Sequence, residues 1–317
     1  MQFSHLPVRL SCDIKKNFTG TQIQTTMLDL DQLRALIQKG QEKAICREWL
    51  HQKEEDKLQT LHYEKRHIEW LGGRICAKQA VLHYLLTDDS QGNRDNLSDR
   101  AALHAANLLI MSGASGRPFL DHSGLPEDLP PPHISISHSR GYAVAVAASS
   151  HCGIDIQAGS DSLIRVKDRF CSREEEALMG QKLKELQGSD HLTLLWAAKE
   201  AVKKGASLER MPGFLDLTLT RIETQPMVAP VSLAPPMDEE RPTARDGLVS
   251  LAPWTDEERP TASPGSFLFT LAYQDSHEEK QQESRPLHHH FQVTVDRHQG
   301  YGIGLCVIPS QLGGDNA

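Results

Sequence analysis

The segments Gly153-Ile-Asp-Ile156 and Trp196-Ala-Ala-Lys-Glu-Ala-Val-Lys-Lys204 carry the most information in this chain of 317 residues. The β-branched residues on both sides of Asp155 predict a buried strand that ends near this carboxylate. The second segment predicts a helix on which Glu200 and Lys204 share a face, because they are four residues apart. Two carboxylates from different elements, with a lysine beside them, predict a site for a hard cation and a polyphosphate.

Each of these residues also has a plainer explanation. An aspartate after Gly-Ile can simply end a strand and cap the following turn. Glu200 and Lys204 would also suit an ion pair on a solvated helix face, which contributes about 0.3–0.5 kcal/mol. Taken one at a time, the plainer explanations are favoured. Together with basic and polar residues elsewhere in the chain, the two segments favour a binding site.

The composition favours a cytoplasmic protein larger than one small core. The length of 317 residues suits two lobes, and the hydrophobic content of 38% suggests that part of the chain is not folded. The longest apolar runs, such as Tyr142 to Ser149, are far shorter than the roughly twenty residues of a membrane span. The chain begins without the pattern of a secretory signal. Its six cysteines form no Cys-x-x-Cys pair, which favours reduced thiols in the cytoplasm.

The formal charge of −8 is concentrated in one segment. Between Ile222 and Leu287, twelve acidic residues stand against five basic ones, a net charge of −7, so the remaining chain carries about −1. A nearly neutral body with an acidic segment gives no support to nucleic-acid binding, which requires a basic face. Neither nucleic acid nor a membrane is therefore expected as a partner.

Hydrophobic periodicity predicts an α+β fold. The first half is predicted to contain a strand near Val8, helices over 28–86, an element over 103–111 that fits either a helix or a strand, and strands over 133–138, 143–148 and 152–156. A capping box at Ser172-Arg-Glu-Glu175 predicts a helix that runs to about Leu186. A further helix covers about 191–204 and ends at Gly205. Strands are then predicted over 214–222, 266–273, 291–296 and 301–308.

One segment is an internal duplication. Thirteen of the seventeen residues from Val231 to Gly247 are identical to those eighteen positions later. Eight of the seventeen prolines lie between Pro226 and Pro264, and two copies are too few for a solenoid, which needs about three. We expect a disordered, acidic surface insertion at about 226–264. The alternative is a docking motif for a partner.

Four further residues are candidates for binding an anion. Arg74 follows two glycines within a helical pattern, which suggests close approach by another element or a ligand. Arg74 with Lys78, four residues later, fits a phosphate site or a solvated basic face. Arg117, in a stiff Gly-Arg-Pro loop, is either a simple loop charge or a bidentate phosphate ligand. Ser137 and His138 close the first hairpin strand, where they would face an anion or simply form a turn.

Three elements in this order and spacing resemble the 4′-phosphopantetheinyl transferases. They are Ile-Ser-Ile-Ser-His138-Ser, Gly-Ile-Asp155-Ile and Trp-Ala-Ala-Lys199-Glu200-Ala-Val-Lys-Lys204. The length and the upstream Gly-Arg segments resemble the large, two-lobed, surfactin-synthetase-activating branch. The resemblance runs from about Leu71 to Ile222. It implies an α+β fold of two similar pseudo-symmetric lobes, 1–149 and 150–317, with the insertion in the second lobe.

The resemblance also implies a role for each candidate residue. Asp155 and Glu200 would bind Mg²⁺ on the pyrophosphate of coenzyme A, and Glu200 would help to deprotonate the incoming serine. Lys204 would meet the phosphates, assisted by Lys199. The 3′-phosphorylated adenosine end would be held by Arg74, Arg117, Ser137 and His138.

The implied reaction transfers 4′-phosphopantetheine from coenzyme A to a serine of an apo acyl, peptidyl or aryl carrier protein, with 3′,5′-ADP leaving. We expect a monomer. Gln157 departs from the large branch, many members of which carry a glutamate two residues after the metal-binding aspartate. A neutral amide contributes no charge, so a third protein ligand is in doubt while the two carboxylates remain.

Two alternatives to the transferase stay open. One is a Mg²⁺-dependent phosphohydrolase that acts on coenzyme A or another nucleotide with the same carboxylates. The other is a non-catalytic module that binds carrier proteins. The sequence identifies neither the carrier protein and its pathway nor the choice between Mg²⁺ and Mn²⁺.

Overall fold

The computed structural model describes residues 7–9, 20–87, 103–121, 130–186, 189–206, 211–224, 266–273 and 289–308. Each half of the chain contains an antiparallel sheet with a long helix packed on it. The predicted α+β class is therefore confirmed. The duplicated segment and the predicted insertion at 226–264 lie outside the described residues.

The described residues of the first half form two sheets and four α-helices. Its strands are β1 (Pro7–Arg9), β2 (Ile23–Asp29), β3 (Leu109–Ser112), β4 (Pro118–Asp121), β5 (His133–Ser139) and β6 (Tyr142–Ala148). Its helices are α1 (Leu30–Gln38), α2 (Glu42–Trp49), α3 (Gln52–Gln59) and α4 (Glu64–Thr87). The larger sheet has the order β1-β2-β6-β5, and β3 pairs with β4. Helix α4 packs on β2, β5 and β6.

The described residues of the second half form one five-stranded sheet and three α-helices. Its strands are β7 (Cys152–Ala158), β8 (Leu217–Thr224), β9 (Phe267–Tyr273), β10 (His289–His298) and β11 (Tyr301–Val307). Its helices are α5 (Asp161–Val166), α6 (Arg173–Lys182) and α7 (Asp190–Gly205). The sheet order is β7-β11-β10-β9-β8, and α7 packs on β7, β10 and β11. Across the described ranges, every helix is too short or too polar to cross a membrane.

Both sheets contain a hairpin of the same kind. Arg140 and Gln299 adopt left-handed φ values of 48° and 45° at the two turns, and a glycine follows each of them. The tyrosine after each turn, Tyr142 or Tyr301, pairs with the last residue of β2 or β7. In each half, the strand that precedes a helix thus pairs with the returning strand of the hairpin. This shared arrangement supports the expected similarity of the two halves.

The two halves meet through an apolar layer between their sheets. Val144 and Val146 of β6 belong to the same buried cluster as Ile154 and Ile156 of β7 and Leu305 of β11. Separate clusters fill the space between each sheet and its helices. Burial of this inter-sheet layer holds the halves together, because apolar area removed from water contributes about 25 cal/mol per Å².

The two glycines of α4 allow close helix–sheet packing. A Cβ atom at Gly72 would overlap the side chain of Leu30, and one at Gly73 would lie 3.1 Å from Ile136 Cγ2. Of the two explanations that the sequence offered, approach by another element therefore accounts for both glycines.

Several element boundaries differ from the prediction. Strand β2 occupies Ile23–Asp29, so the helical region begins at Leu30 rather than Leu28. The ambiguous segment over 103–111 contains both a single 3₁₀ turn and the start of β3. Helix α6 ends at Lys182 instead of about Leu186. Each predicted C-terminal strand exists, with ends shifted by one to three residues.

Candidate active site

Asp155 lies in the middle of β7 rather than at its end, and it joins the two halves of the chain. Its side chain is buried, with the residue only 6% exposed. Ser137 of β5 donates its hydroxyl hydrogen to Asp155 Oδ1 over 2.6 Å. Lys204 of α7 donates from Nζ to the same oxygen, also over 2.6 Å. The structure thus brings together three of the predicted site residues.

Neighbouring groups change the pKa of Asp155 in opposite directions. Burial raises the pKa of its carboxyl group above the ordinary value, and the ammonium of Lys204 and the Ser137 hydroxyl act in the other direction. The carboxylate of Glu200 adds to the rise in the pKa of Asp155. Because the charges of Asp155 and Glu200 repel each other, a bound cation would stabilise this arrangement.

Glu200 and Lys204 do not pair with each other, although both lie on α7. Lys203 donates from Nζ to Glu200 Oε1 over 2.9 Å, whereas Lys204 reaches across to β7. Its ammonium is 3.3 Å from the carbonyl oxygen of Ile154 in addition to its bond with Asp155. The side chain of Glu200 remains 22% exposed, so it is accessible from solvent.

His138, next to Ser137, lies within a group of charged side chains. Its Nδ1 is 3.6 Å from Glu69 Oε1. Burial lowers the pKa of His138, the Glu69 carboxylate opposes this change, and the cations Arg66, Lys204 and Lys65 lower the pKa further. Cations from both halves therefore surround the imidazole, which suits the binding of a polyanion.

Glu69, Lys65 and Arg66 were missed at the level of sequence. They belong to the first turns of α4, where Glu64-Lys-Arg-His67 is typical of a solvated helix start. A second missed signal was an internal match: Cys76-Ala-Lys-Gln-Ala-Val81 resembles Ala197-Ala-Lys-Glu-Ala-Val202. It would have indicated that α4 and α7 occupy corresponding positions, and hence that α4 borders the site.

Lys199 is placed away from Asp155. It is fully buried, and its ammonium donates to the carbonyl oxygens of Phe170 and Phe214 over 2.7 and 3.0 Å. It also pairs with Glu175, at 2.8 Å from Oε1. Burial lowers the pKa of Lys199, and the Glu175 carboxylate opposes that change. Because three acceptors already occupy this ammonium, the structure does not bring it to the predicted phosphate site.

Arg74 is also held within its own half. It is 9% exposed, its guanidinium lies 4.8 Å from the ring centre of Trp70, and its Nε is 3.5 Å from Glu54 Oε1. Lys78 forms a buried ion pair with the same glutamate. Arg74 follows Glu69 by five residues, which corresponds to a rotation of about 140° around the helix axis. Glu69 faces His138, so Arg74 points to a different side of the helix. The expected grouping of Arg74 with His138 is therefore not formed.

Arg117 lies at the other end of β5. It donates from Nη2 to the carbonyl oxygen of Ala206 over 3.0 Å, and its Nη1 is 3.4 Å from His151 Nδ1. The ring of His151 lies 4.2 Å from that of His133, the first residue of β5. His138 stands five residues further along this strand, or about 17 Å. Arg117 and His138 are thus too far apart to contact the same phosphate group.

A cavity of about 280 Å³ opens beside Arg117. Burial lowers the pKa of both His133 and His151, with a further contribution from the Arg117 charge. Both imidazoles are therefore neutral near pH 7, which gives the cavity flat aromatic walls and one permanent cation. Its lining residues are Gly113, Ser115, Arg117, Pro118, Phe119, Pro132, His133, Ile134, His151 and Cys152.

The donor set around Asp155 suits a magnesium ion. Among the described residues, no three His, Cys, Asp or Glu side chains cluster closely enough to hold a metal alone. Magnesium is commonly bound by one or two carboxylates together with substrate phosphates, and Glu200 lies close enough to Asp155 for its charge to raise the pKa of that carboxyl group. Gln157 follows Asp155 by two residues on the same side of the strand, and its amide nitrogen donates to the Ala158 carbonyl over 2.9 Å.

Comparisons with known proteins point to one family. Residues 151–233 match the family model described as the 4′-phosphopantetheinyl transferase superfamily. This segment begins immediately before β7 and ends beyond β8, so it contains Asp155, Glu200 and Lys204.

Two curated relatives agree with that match. The chain is 28% identical over 111 residues to the "4′-phosphopantetheinyl transferase ffp" of Bacillus subtilis, covering 35% of this chain and 46% of the relative. It is 27% identical over 119 residues to the "Holo-[acyl-carrier-protein] synthase" of Staphylococcus haemolyticus, covering 38% and 87%. The chain thus spans less than half the length of the first relative.

A solved structure, the holo-ACP-synthase from Plasmodium yoelii, aligns at 16% identity and a TM-score of 0.31 over 41% of this chain and 96% of its own. That score is too low to support an argument about function. The family-model match covers the segment that holds the Asp155 carboxylate and helix α7. Residues 151–233 of this chain are therefore similar to the 4′-phosphopantetheinyl transferase superfamily.

Proposed function

We propose that this protein transfers the 4′-phosphopantetheine group from coenzyme A to a serine of an apo carrier protein. One observation carries the proposal: Asp155, within the segment that matches the superfamily, accepts hydrogen bonds of 2.6 Å both from Lys204 and from Ser137 of the other half. The names of both curated relatives support this class of reaction.

In the proposed reaction, the serine oxygen of the carrier protein forms a bond with the phosphorus that bears pantetheine. The bond from this phosphorus to the bridging oxygen breaks, and 3′,5′-ADP leaves. Glu200, which is accessible from solvent and lies near Asp155, accepts the serine proton. Transfer of this type depends on positioning and on neutralising charge on the phosphate oxygens.

The charged residues of both halves would hold the pyrophosphate. Lys204 and His138 face it from α7 and β5, and Lys65 and Arg66 add positive potential from α4. Asp155 and Glu200 would hold Mg²⁺ as its two protein carboxylates. A bound Mg²⁺ would supply Lewis-acid neutralisation of the pyrophosphate charge.

The cavity beside Arg117 is proposed for the nucleoside end of coenzyme A. Neutral imidazoles of His133 and His151 offer faces for stacking, and the Arg117 guanidinium offers donors to a phosphate. The residues that the sequence assigned together to the adenosine end are thereby divided between two places. Arg117 lies beside the proposed nucleoside site, whereas Ser137 and His138 lie on the pyrophosphate side. A position for the coenzyme between lobes 1–149 and 150–317 is part of this proposal. Action as a monomer in the cytoplasm remains a prediction from the sequence.

The decisive experiment measures the mass of the carrier protein. The full chain is incubated with coenzyme A, Mg²⁺ and a panel of apo acyl, peptidyl and aryl carrier proteins. A mass gain equal to phosphopantetheine on at least one carrier supports the transferase. No gain on any carrier would reject it. In that case, breakdown of coenzyme A without a carrier would indicate the phosphohydrolase, and carrier binding without reaction would indicate a non-catalytic module.

A further inference from the structure

Strands β5 and β7 lie side by side without belonging to the same sheet. Each is the edge strand of its own sheet, and side chains rather than a backbone ladder join them. The side chains of three serines in β5 point to β7, because alternate residues of a strand share a side. The β5–β7 seam consists of Ser135, Ser137 and Ser139 of β5 with Ile154, Asp155 and Ala158 of β7.

The contacts of the seam keep a constant register. The Ile154 amide donates to Ser135 Oγ over 3.1 Å, at a sequence separation of nineteen residues. The Ala158 amide donates to Ser139 Oγ over 3.0 Å, at the same separation. At the start of both strands, the Cys152 thiol donates to the His133 carbonyl oxygen, again nineteen residues apart. A constant separation means that the two strands run parallel without slipping.

Ser137 is the one member of the seam that breaks this register. Its hydroxyl donates to the Asp155 carboxylate, at a separation of eighteen residues. The serines before and after it therefore bind backbone on each side of Asp155, while Ser137 binds the carboxylate itself. The serine hydroxyl groups also accept hydrogen bonds from backbone amides of the edge strand β7. This stabilises the fold, because a buried amide without a hydrogen-bond partner is unfavourable.

We propose that Ser135 and Ser139 are positioning residues that hold Asp155 of one half in place against Ser137 of the other. They touch neither the proposed metal nor the proposed substrate, and they act through the backbone of β7. The inference rests on the proposed function for its effect on turnover, but the placement of Asp155 can be measured without turnover.

The test compares Ser135→Ala and Ser139→Ala with the wild type and with Ser149→Ala. Ser149 is a matched control, because its hydroxyl also accepts a backbone amide hydrogen, from Gln22 over 3.2 Å, away from Asp155. Ser139→Thr is a rescue variant that keeps the hydroxyl group. The first readout is hydrogen exchange of the backbone amides of β7. The second is the dissociation constant of Mn²⁺, followed by electron paramagnetic resonance, and the third is kcat and KM of transfer.

In both alanine variants of the seam, the backbone amides of β7 are expected to exchange hydrogen faster. Both variants are also expected to bind Mn²⁺ about tenfold more weakly. They should lose kcat on the order of ten- to a hundredfold, with little change in KM for the carrier. Ser149→Ala and Ser139→Thr should behave like the wild type. If Ser135→Ala fails to fold, the half-buried Ser139 supplies the same comparison.

Two outcomes overturn the inference. One is an equal Mn²⁺ dissociation constant in the wild type and both seam variants. The other is the same loss in Ser149→Ala as in the seam variants, which would indicate a general effect of removing a serine. A wild type that transfers nothing would reject the proposed function alone, since exchange and Mn²⁺ binding still decide the role of the two serines.

Discussion

Two neighbouring residues of α7, Lys199 and Glu200, have opposite environments. Successive residues of an α-helix point about 100° apart. Lys199 points into the core of the second half, where it meets Glu175, whereas Glu200 points to the solvent-accessible side with Lys204. A single helix thereby contributes both a buried structural ion pair and the proposed site.

Glu200→Gln should abolish transfer while leaving the fold intact. Loss of the proposed proton acceptor is expected to lower kcat by about 10²–10⁴-fold. The ion pair of Glu200 with Lys203 is partly exposed, so stability should change by about 1 kcal/mol or less. Lys203→Gln is the matched control, since it breaks the same ion pair and keeps the carboxylate. Near-normal carrier modification by Glu200→Gln would remove this residue from the mechanism.

Lys199→Met should reduce stability rather than act directly on phosphate binding. Its removal leaves the buried Glu175 without its cation, and breaking a buried pair in this way costs about 3–5 kcal/mol. Urea unfolding measures the loss. Lys203→Met, on the partly exposed side of the helix, should be close to neutral. If Lys199→Met keeps its stability but binds coenzyme A more weakly, the result would support a direct role of Lys199 in phosphate binding.

At the scale of elements, the contact between α7 and the second sheet is unusually close. A Cβ atom at Gly153 of β7 would overlap the carbonyl oxygen of Ala201, and one at Gly304 of β11 would lie 2.6 Å from that of Ala197. The helix backbone therefore rests directly on two strands. This contact fixes the distance from Lys204 to Asp155, because each residue belongs to one of the touching elements.

Gly153→Ala and Gly180→Ala should change stability in opposite directions. Alanine at position 153 must push α7 from β7, at a cost of about 1–3 kcal/mol or more, and transfer should fall because Asp155 moves. Gly180 lies in α6 with open space around it, so alanine should stabilise by up to about 1 kcal/mol. Thermal unfolding and carrier modification test both variants. If Gly153→Ala and Gly180→Ala have equal stability, the close contact between α7 and β7 is contradicted.

Local pattern predicted some elements well and failed at others. Strand β7 and helix α7 were predictable, because β-branched alternation and a terminal glycine are local signals. Strand β2 was not, because Gln24, Thr25 and Thr26 look exposed in sequence yet are buried in the structure, and the helical spacing of the following leucines hid the strand. Burial of polar residues depends on tertiary partners, as in the bond from Thr26 to the Cys76 carbonyl.

At the scale of the whole molecule, the ends of β8 and β9 lie next to each other. Thr224, the last residue of β8, is the direct partner of Phe267, the first residue of β9. All residues between 225 and 265 therefore leave and re-enter the fold at one edge. A short turn is sufficient to connect two antiparallel strands in this register.

Deleting residues 229–264 should leave folding and transfer unchanged. The remaining residues can bridge the adjacent strand ends, and a shorter loop costs slightly less closure entropy, about 0.6 kcal/mol for each halving. Carrier modification and thermal unfolding of the deleted chain give the answer. Loss of carrier binding with normal coenzyme A binding would instead identify the duplicated segment as a docking element.

The composition of the site was only partly predictable from the chain. Asp155, Lys204 and Ser137 were singled out and do meet, since each belongs to a motif with its own local signal. The separation of Arg117 from His138, and the approach of Glu69 to that histidine, depend on how distant elements of the first half pack on one another. Spacing along the chain contains no information about that arrangement, because the contacts join residues on α4, β5 and α7.

The seam has a practical consequence for engineering. Asp155 and its serine partner stand on opposite sides of the link between Ser149 and Ser150, so neither half alone carries the whole catalytic group. A chain cut at this link would have turnover only while its two fragments remain associated. With the proposed transfer as the readout, the cut chain would serve as a split reporter, in which labelling of a carrier protein signals that two fused proteins have come together.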